Sequence, residues 1–406
     1  MSTRPATNVI DKNGDMCMFE DTEAREQIAS LAAGLGVQSV FTLEENSNPV
    51  FNVSGVEVAK QYIEQMGRYA LIIKNGTPYA AKLSKSDSTR FADGTLVSAF
   101  TNGAADFETM VRVPDCYFKG EEKTCRFGGL APVPNGHKFA SPRWVGAYEM
   151  YVDGSGKGHS RPDVAPAHSK TMTQFWNCAQ ATGTEFGLAN YQFHCLINCL
   201  YQARYGNLNS QATIWAGGQT SSWEAWRNVN MGLTRSLGDQ TGKVLYNDET
   251  VGDQYETSLF GFEGLWGKLW EFRPGIRFYM DYDVRHAVIY DGNQVSNTAT
   301  GRDVYPVLSS ASGQYATRMH LGEWWDMICQ AVGGSDTTYY SDGYWASTGG
   351  ELLLVGATAD SFARCGVSHS YSVNGFGDSY AGVGARLAFY GNPVIVNGAE
   401  LLALAG

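Results

Sequence analysis

The chain has no apolar run long enough to cross a bilayer as a helix, which takes about 20 residues. Its first fifteen residues, Met1 to Asp15, are polar and lack the apolar core of a secretory signal. Lys and Arg form no cluster and the formal net charge is −11, so neither a DNA nor an RNA surface is expected. That acidic balance leaves a divalent-cation site on the surface open. Proline is scarce at 12 residues while glycine reaches 47, which favours tight turns and close backbone approaches over extended linkers. No His-Glu-x-x-His, Gly-x-Ser-x-Gly or phosphate-loop pattern occurs. Cys195 and Cys199 lie one helical turn apart beside His194, but no Cys-x-x-Cys partner exists among the eight cysteines to complete a metal site. Most of these cysteines (17, 116, 125, 178, 195, 199, 329 and 365) read as buried thiols, and no metal or cofactor is expected. Synthesis in a cytoplasm without membrane insertion follows as the expectation.

With 43% hydrophobic residues over 406 positions, the chain is globular and long enough for two or three domains. Residues 1–45 read as an attachment or oligomerisation segment, with a helix from Glu23 to Leu35 capped by Asp21 or Thr22. Residues 46–120 read as a small mixed β-rich domain. There Ser54-Gly-Val-Glu57 has the form of a capping box opening a helix to Met66, and Asn75-Gly76 marks a hairpin. Strands are expected near Leu96–Phe100 and over Glu108–Phe118, with Pro114 at an edge or bulge. In residues 121–406, helices are expected from Thr171, with Gln174 completing a capping box, and over Asn190–Tyr205, stopped by Gly206. A short helix is expected within Leu321–Val332, and the apolar tail from Asn392 should dock on the domain or a neighbouring subunit. The fold class is α+β.

The most informative stretch runs from Tyr339 to Tyr390. Short apolar pieces (Leu352–Val355, Cys365–Val367, Val383–Phe389) alternate with connections rich in Tyr, Trp, Ser, Asn and Gly. Tyr and Trp give large contact area at little rotamer cost, and Ser, Gly and Asn give adaptable hydrogen bonding, as in paratopes. A turn-rich sheet with half-buried aromatics is the alternative reading.

The segment Arg364-Cys-Gly-Val-Ser-His-Ser-Tyr-Ser through Gly382-Val-Gly-Ala-Arg386-Leu-Ala-Phe resembles the C-terminal part of the C-type-lectin-fold variable proteins. These are retroelement-diversified receptor-binding proteins of the phage tail-fibre, tropism-determinant type. Phe107–Phe118, Trp144–Tyr148, Tyr205–Gln211 and Phe262–Glu271 are similar to further segments of the family, in the same order. The resemblance implies a C-terminal lectin-like fold over 121–406, related to that of formylglycine-generating enzymes. It implies a host cell-surface receptor (protein or glycan) as partner, a homotrimer, and a place in the virion tail. The first 45 residues are similar to tail-fibre segments that join other tail proteins. Ligand contacts are implied at Arg364, Ser368, His369, Tyr371, Ser372, Asn374, Phe376, Asp378 and Tyr380, with Tyr339, Tyr340, Asp342, Tyr344 and Trp345 as a neighbouring wall. Gly366, Gly382, Gly384 and Arg386 would be the fixed frame. The Trp-rich Gly261–Phe272 run would be core, with Glu263 and Glu271 satisfying backbone donors.

Two other readings stay open. A structural virion protein, such as a decoration or baseplate part, has the same composition. An oxidase of the formylglycine-generating type shares the final Gly-x-Arg strand but needs two close cysteines, and Cys365 stands alone in its segment. The His-x-x-x-His-x-Glu spacing of the related iron enzymes and the Glu-Pro-Asn, Gln-Pro-Asp and Trp-Asn-Asp motifs of calcium-dependent sugar lectins are absent. The chain is therefore expected not to be an enzyme.

Overall fold

Asn75 and Gly76 both take positive φ (51° and 79°), so Gly67–Lys74 and Thr77–Ser84 fold back as an antiparallel pair. This hairpin is the centre of an eight-stranded sheet in a computed structural model that describes residues 7–10, 16–19, 38–97, 107–139, 142–292 and 294–405. The expected Glu23–Leu35 helix lies outside the described residues.

The described chain is mixed α+β, mostly sheet with few helices. The eight-stranded sheet runs in the order Phe186–Leu188, Leu387–Phe389, Trp144–Gly146, Glu108–Arg112, Gly67–Lys74, Thr77–Ser84 and Val394–Val396, with Asp87–Phe91 also on Thr77–Ser84. A five-stranded sheet joins Ser39–Thr42 to Thr124–Gly129, and Cys116–Glu121 lies on the far side of the latter. The expected boundaries at 45 and 120 therefore run through sheets, because strands from both sides pair with one another. One buried cluster is continuous from Phe41 through Phe118, Leu196, Trp266 and Trp325 to Phe389.

Local chemistry explains most elements and corrects some. Thr171 and Gln174 form the reciprocal capping box, and the helix Met172–Thr182 follows. Asn190 caps Tyr191–Tyr205, which ends at Gly206 in the left-handed region (φ 58°). Ser54, by contrast, pairs in a strand and donates its hydroxyl to the Val40 carbonyl, so the helix Val56–Ile63 starts at a left-handed Gly55 with no side-chain cap. Pro114, which has no N–H to donate, separates Glu108–Arg112 from Cys116–Glu121, and the two segments enter different sheets. Residues 321–332 are not a helix. Met327–Val332 pairs antiparallel with Ala311–Leu321 across a turn in which Trp325 takes φ 54°. The tail does dock: Val394–Val396 pairs parallel with Thr77–Ser84, and Leu401 in the helix Gly398–Ala405 is buried.

A seven-stranded sheet carries the C-terminal stretch, in the order Met327–Val332, Ala311–Leu321, Gly343–Ala346, Ser370–Ser372, Leu354–Val355, Trp270–Phe272 and Val383–Gly384. The expected Val383–Phe389 strand is two strands. Val383–Gly384 belongs to this sheet and Leu387–Phe389 to the eight-stranded one. Arg386, fully buried, sits where the chain crosses between them. Its guanidinium donates to Glu271 (2.6 and 3.0 Å) and to the carbonyls of Gly146, Ala147, Glu263 and Gly264 (2.8–3.2 Å). Arg273 pairs with the other Glu271 oxygen at 2.7 Å. Burial alone would raise the Glu271 carboxyl; the two guanidiniums outweigh it and hold the group below its ordinary value. Glu263 does satisfy backbone donors, those of Gly232 and Thr234 (both 2.7 Å), whereas Glu271 is an ion-pair centre.

Replacing Arg386 by Met leaves a buried carboxylate short of its main partner. Arg386→Met is expected to cost about 3–5 kcal/mol in denaturant unfolding. A loss below about 1 kcal/mol would contradict the bridging role.

Candidate functional site

Side chains along a strand alternate faces, and this decides which of the aromatic residues meet solvent. Gly343–Ala346 and Ser370–Ser372 pair in parallel, with Trp345 opposite Tyr371 and Tyr344 opposite Ser370. Trp345 and Tyr371 share the outward face and are half-buried, while Tyr344 points into the core at 1% exposure. His369 is two residues before Tyr371 and lies on the same face, beneath the rings.

Trp270, on the strand Trp270–Phe272, completes the group. Its ring centroid is 4.7 Å from His369, 5.1 Å from Tyr371 and 5.9 Å from Trp345. Trp345 stacks on His369 at 5.1 Å and 30°. Each such aromatic pair contributes about 0.5–1.5 kcal/mol beyond its area, so the four rings brace one another. Gly313 permits the arrangement, since a Cβ there would lie 2.8 Å from the Trp345 ring.

The rim is polar and exposed. Arg364 is exposed, donates its Nε to the Gly313 carbonyl at 2.9 Å, and sits over the Tyr315 ring. Tyr380 is 52% exposed and Phe362, in the same turn as Arg364, is 43% exposed. Asp378 accepts the Gly375 N–H at 2.8 Å, and Glu351 accepts that of Phe376. Both contacts order the loop carrying Phe376 and Tyr380.

The platform is electrically quiet. Burial, with Arg364 nearby, pushes His369 down to about 3, so its imidazole is neutral near pH 7. Neither ring nitrogen has a hydrogen-bond partner among the described residues. Burial raises the Tyr371 phenol. Arg364 and Asp378 are therefore the charges nearest to the rings among the expected contacts.

Seven of the fourteen expected contact residues are buried: Tyr340, Asp342, Tyr344, Ser368, His369, Ser372 and Asn374. Alternation accounts for Tyr344 and Ser372. Ser372 accepts from the buried Arg285, and Ser368 donates its hydroxyl to Asn198 at 2.7 Å. Asn374 turns its carbonyl to the N–H groups of Glu351 and Leu352. Tyr339 and Tyr340 are not part of the same wall, because they line a narrow hollow with Leu43, Glu45 and Lys123. Trp270 is in the core as expected and also backs the platform, whereas Gly313 was passed over.

Asp342 lies under the platform. It accepts the Ser368 N–H at 2.7 Å and the Gln211 side-chain amide at 2.6 Å. Gly366 has to be glycine beside it, since a Cβ would fall 2.0 Å from the Asp342 carboxyl. Gly384 is confined too, by Leu269 and the Ala167 carbonyl. Among the described residues no group of three or more His, Cys, Asp or Glu is placed to hold a metal ion.

The chain matches no family model and no curated protein. A solved structure titled Major Tropism Determinant P3c Variant is similar over 80% of this chain and 72% of that one, at 13% identity and a TM-score of 0.31. A likeness that distant carries no argument about ligand or mechanism.

Burial pushes the Asp342 carboxyl up to about 8. Between the ordinary carboxyl value of about 4 and that point, the folded chain keeps a proton that the unfolded chain has lost. The contribution of Asp342 to stability is therefore full at low pH and falls as pH rises through this window. Asp342→Asn is expected to flatten the decline in unfolding free energy from about pH 5 to about pH 8. An unchanged slope in urea unfolding would contradict the assignment.

Proposed function

We propose that this chain is a phage receptor-binding protein with a C-type-lectin-like C-terminal fold, which offers the Trp345–Tyr371 platform and its rim to a host cell-surface ligand. The observation that carries the reading is the pairing of two outward rings on one sheet face, braced from behind by Trp270 and His369. An exposed Arg364 and an exposed Tyr380 flank them. Rigid aromatic anchors ringed by polar groups are the usual composition of binding hot spots.

The same geometry sorts the positions at which diversification would be tolerated. Arg364 and Tyr380 are exposed on their loops and Trp345 and Tyr371 lie on the outward face, whereas Phe376 is half-buried against the core and Asp378 accepts the Gly375 N–H. Ser368, His369, Ser372 and Asn374 hold the platform in place. A trimer anchored to other tail proteins through residues 1–45 would multiply a modest single-site affinity. A place in the virion tail follows from that role.

Recognition needs no reactive group, and the thiols fit that. Cys365 is fully buried, donates to the Thr358 carbonyl, and burial pushes its thiol far up, which suits packing and not chemistry.

An excess of the soluble chain is expected to slow adsorption of the virus to its host. The Trp345→Ala, Tyr371→Ala, Tyr380→Ala triple variant is expected to keep its melting temperature within about 5 °C and to lose competition by about a hundredfold. Failure of the unsubstituted chain to compete would favour a structural virion role instead.

A further inference from the structure

A second site lies away from the platform. A cleft of about 550 Å3 opens beside the long helix, within the range of small-ligand sites. Gln192 from that helix, Asp291 beyond the strand Val284–Ile289, and Arg302 form part of its wall. Glu323 and Trp324, in the turn after Ala311–Leu321, complete it. None of the platform residues lines it.

The aromatic wall is braced. The half-buried Trp324 is stacked by His137 at 4.5 Å and 25°, and Phe118 meets its ring edge-on at 5.8 Å. His137 is itself held by Glu323, with 2.9 Å between Nε2 and the carboxylate. Behind the cleft, Arg302 donates one N–H to the fully buried Asp326. Gly322 lets these groups converge, since a Cβ there would lie 2.0 Å from the Asp326 carboxylate and 3.0 Å from both Arg302 Nη1 and His320 Nε2.

Polar capacity is left over. Asp326 Oδ1, His320 Nε2 and Gln192 Oε1 are buried atoms with no partner among the described residues. Buried polar groups are normally satisfied, so the unspent Gln192 Oε1 in the wall marks where a ligand or water completes the set, while Asp326 and His320 lie behind that wall.

We infer that this cleft binds a neutral saccharide. An indole face takes the C–H face of a sugar ring, while carboxylates, a carboxamide and a guanidinium bond neighbouring hydroxyls in their planes. Asp291 carries negative charge into the cleft, while Glu323 is engaged by His137 and Arg302 by Asp326, so acidic sugars and phosphates meet no free cation there among the described residues.

The test is saturation-transfer NMR on the full chain. The probes are neutral tetrasaccharides built from glucose, galactose, mannose or N-acetylglucosamine, with sialylated counterparts. At least one neutral probe is expected to bind. Trp324→Ala and Asp291→Ala are each expected to weaken it about tenfold or more, and Trp345→Ala to leave it unchanged. If Trp324→Ala fails to fold, Gln192→Ala takes its place with the same expected loss. No binding by any neutral probe, a preference for the sialylated ones, insensitivity to both cleft variants, or loss on Trp345→Ala would each overturn the inference. The outcome is independent of the adsorption competition, which reads the platform.

Discussion

The guanidinium of Arg386 is the fixed point of this architecture. It is buried where the chain passes from one sheet to the other, and it spends its donors on Glu271 and on four backbone carbonyls. A charge taken so far from water persists only when paired and fully hydrogen-bonded. The geometry of Gly146–Ala147, Glu263–Gly264 and the strand Trp270–Phe272 is thereby tied to one group. Trp270 precedes Glu271 by one residue, so the network that joins the sheets also positions the hub of the aromatic platform.

That placement explains how a surface built from short strands is stiff. Ser370–Ser372 and Leu354–Val355 are too short to hold register by themselves. They are held from below by side-chain hydrogen bonds: Asp342 to Ser368 and Gln211, Ser368 to Asn198, and Arg285 to Ser372 and the carbonyls of Leu308, Gly350 and Ser372. The platform therefore separates into two layers. The lower layer is polar, buried and hydrogen-bonded, and the upper layer is aromatic and half-open. On the proposed reading, substitution in the upper layer would change ligand contact, whereas substitution in the lower layer would change whether the sheet forms.

Much of this was legible in residue order, for identifiable reasons. Asn75-Gly76, Thr171-x-x-Gln174 and Asn190 to Gly206 act through local backbone chemistry, which needs no tertiary context. Ser54 failed as a cap because a strand partner competed for it, and residues 321–332 failed as a helix because pairing with Ala311–Leu321 outweighed a short apolar pattern. In the site, composition picked out the stretch but not the facing. Tyr344 and Trp345 are neighbours of the same chemical kind on opposite sides of one strand. Trp270 was hidden by distance along the chain, since it reaches Trp345 and Tyr371 only through the strand order. Pro114 marks a change of sheet, and Cys116–Glu121 pairs with Thr124–Gly129 across residue 120.

Oxidative footprinting of the aromatic side chains, on the free chain and on the chain bound to host envelopes, tests the central claim most directly. The account predicts that Trp345, Tyr371 and Tyr380 are modified in the free chain and protected on binding, while Tyr340 and Tyr344 stay unmodified in both. Modification of Tyr344 as fast as Tyr371, or binding that leaves Trp345, Tyr371 and Tyr380 unprotected, would contradict it.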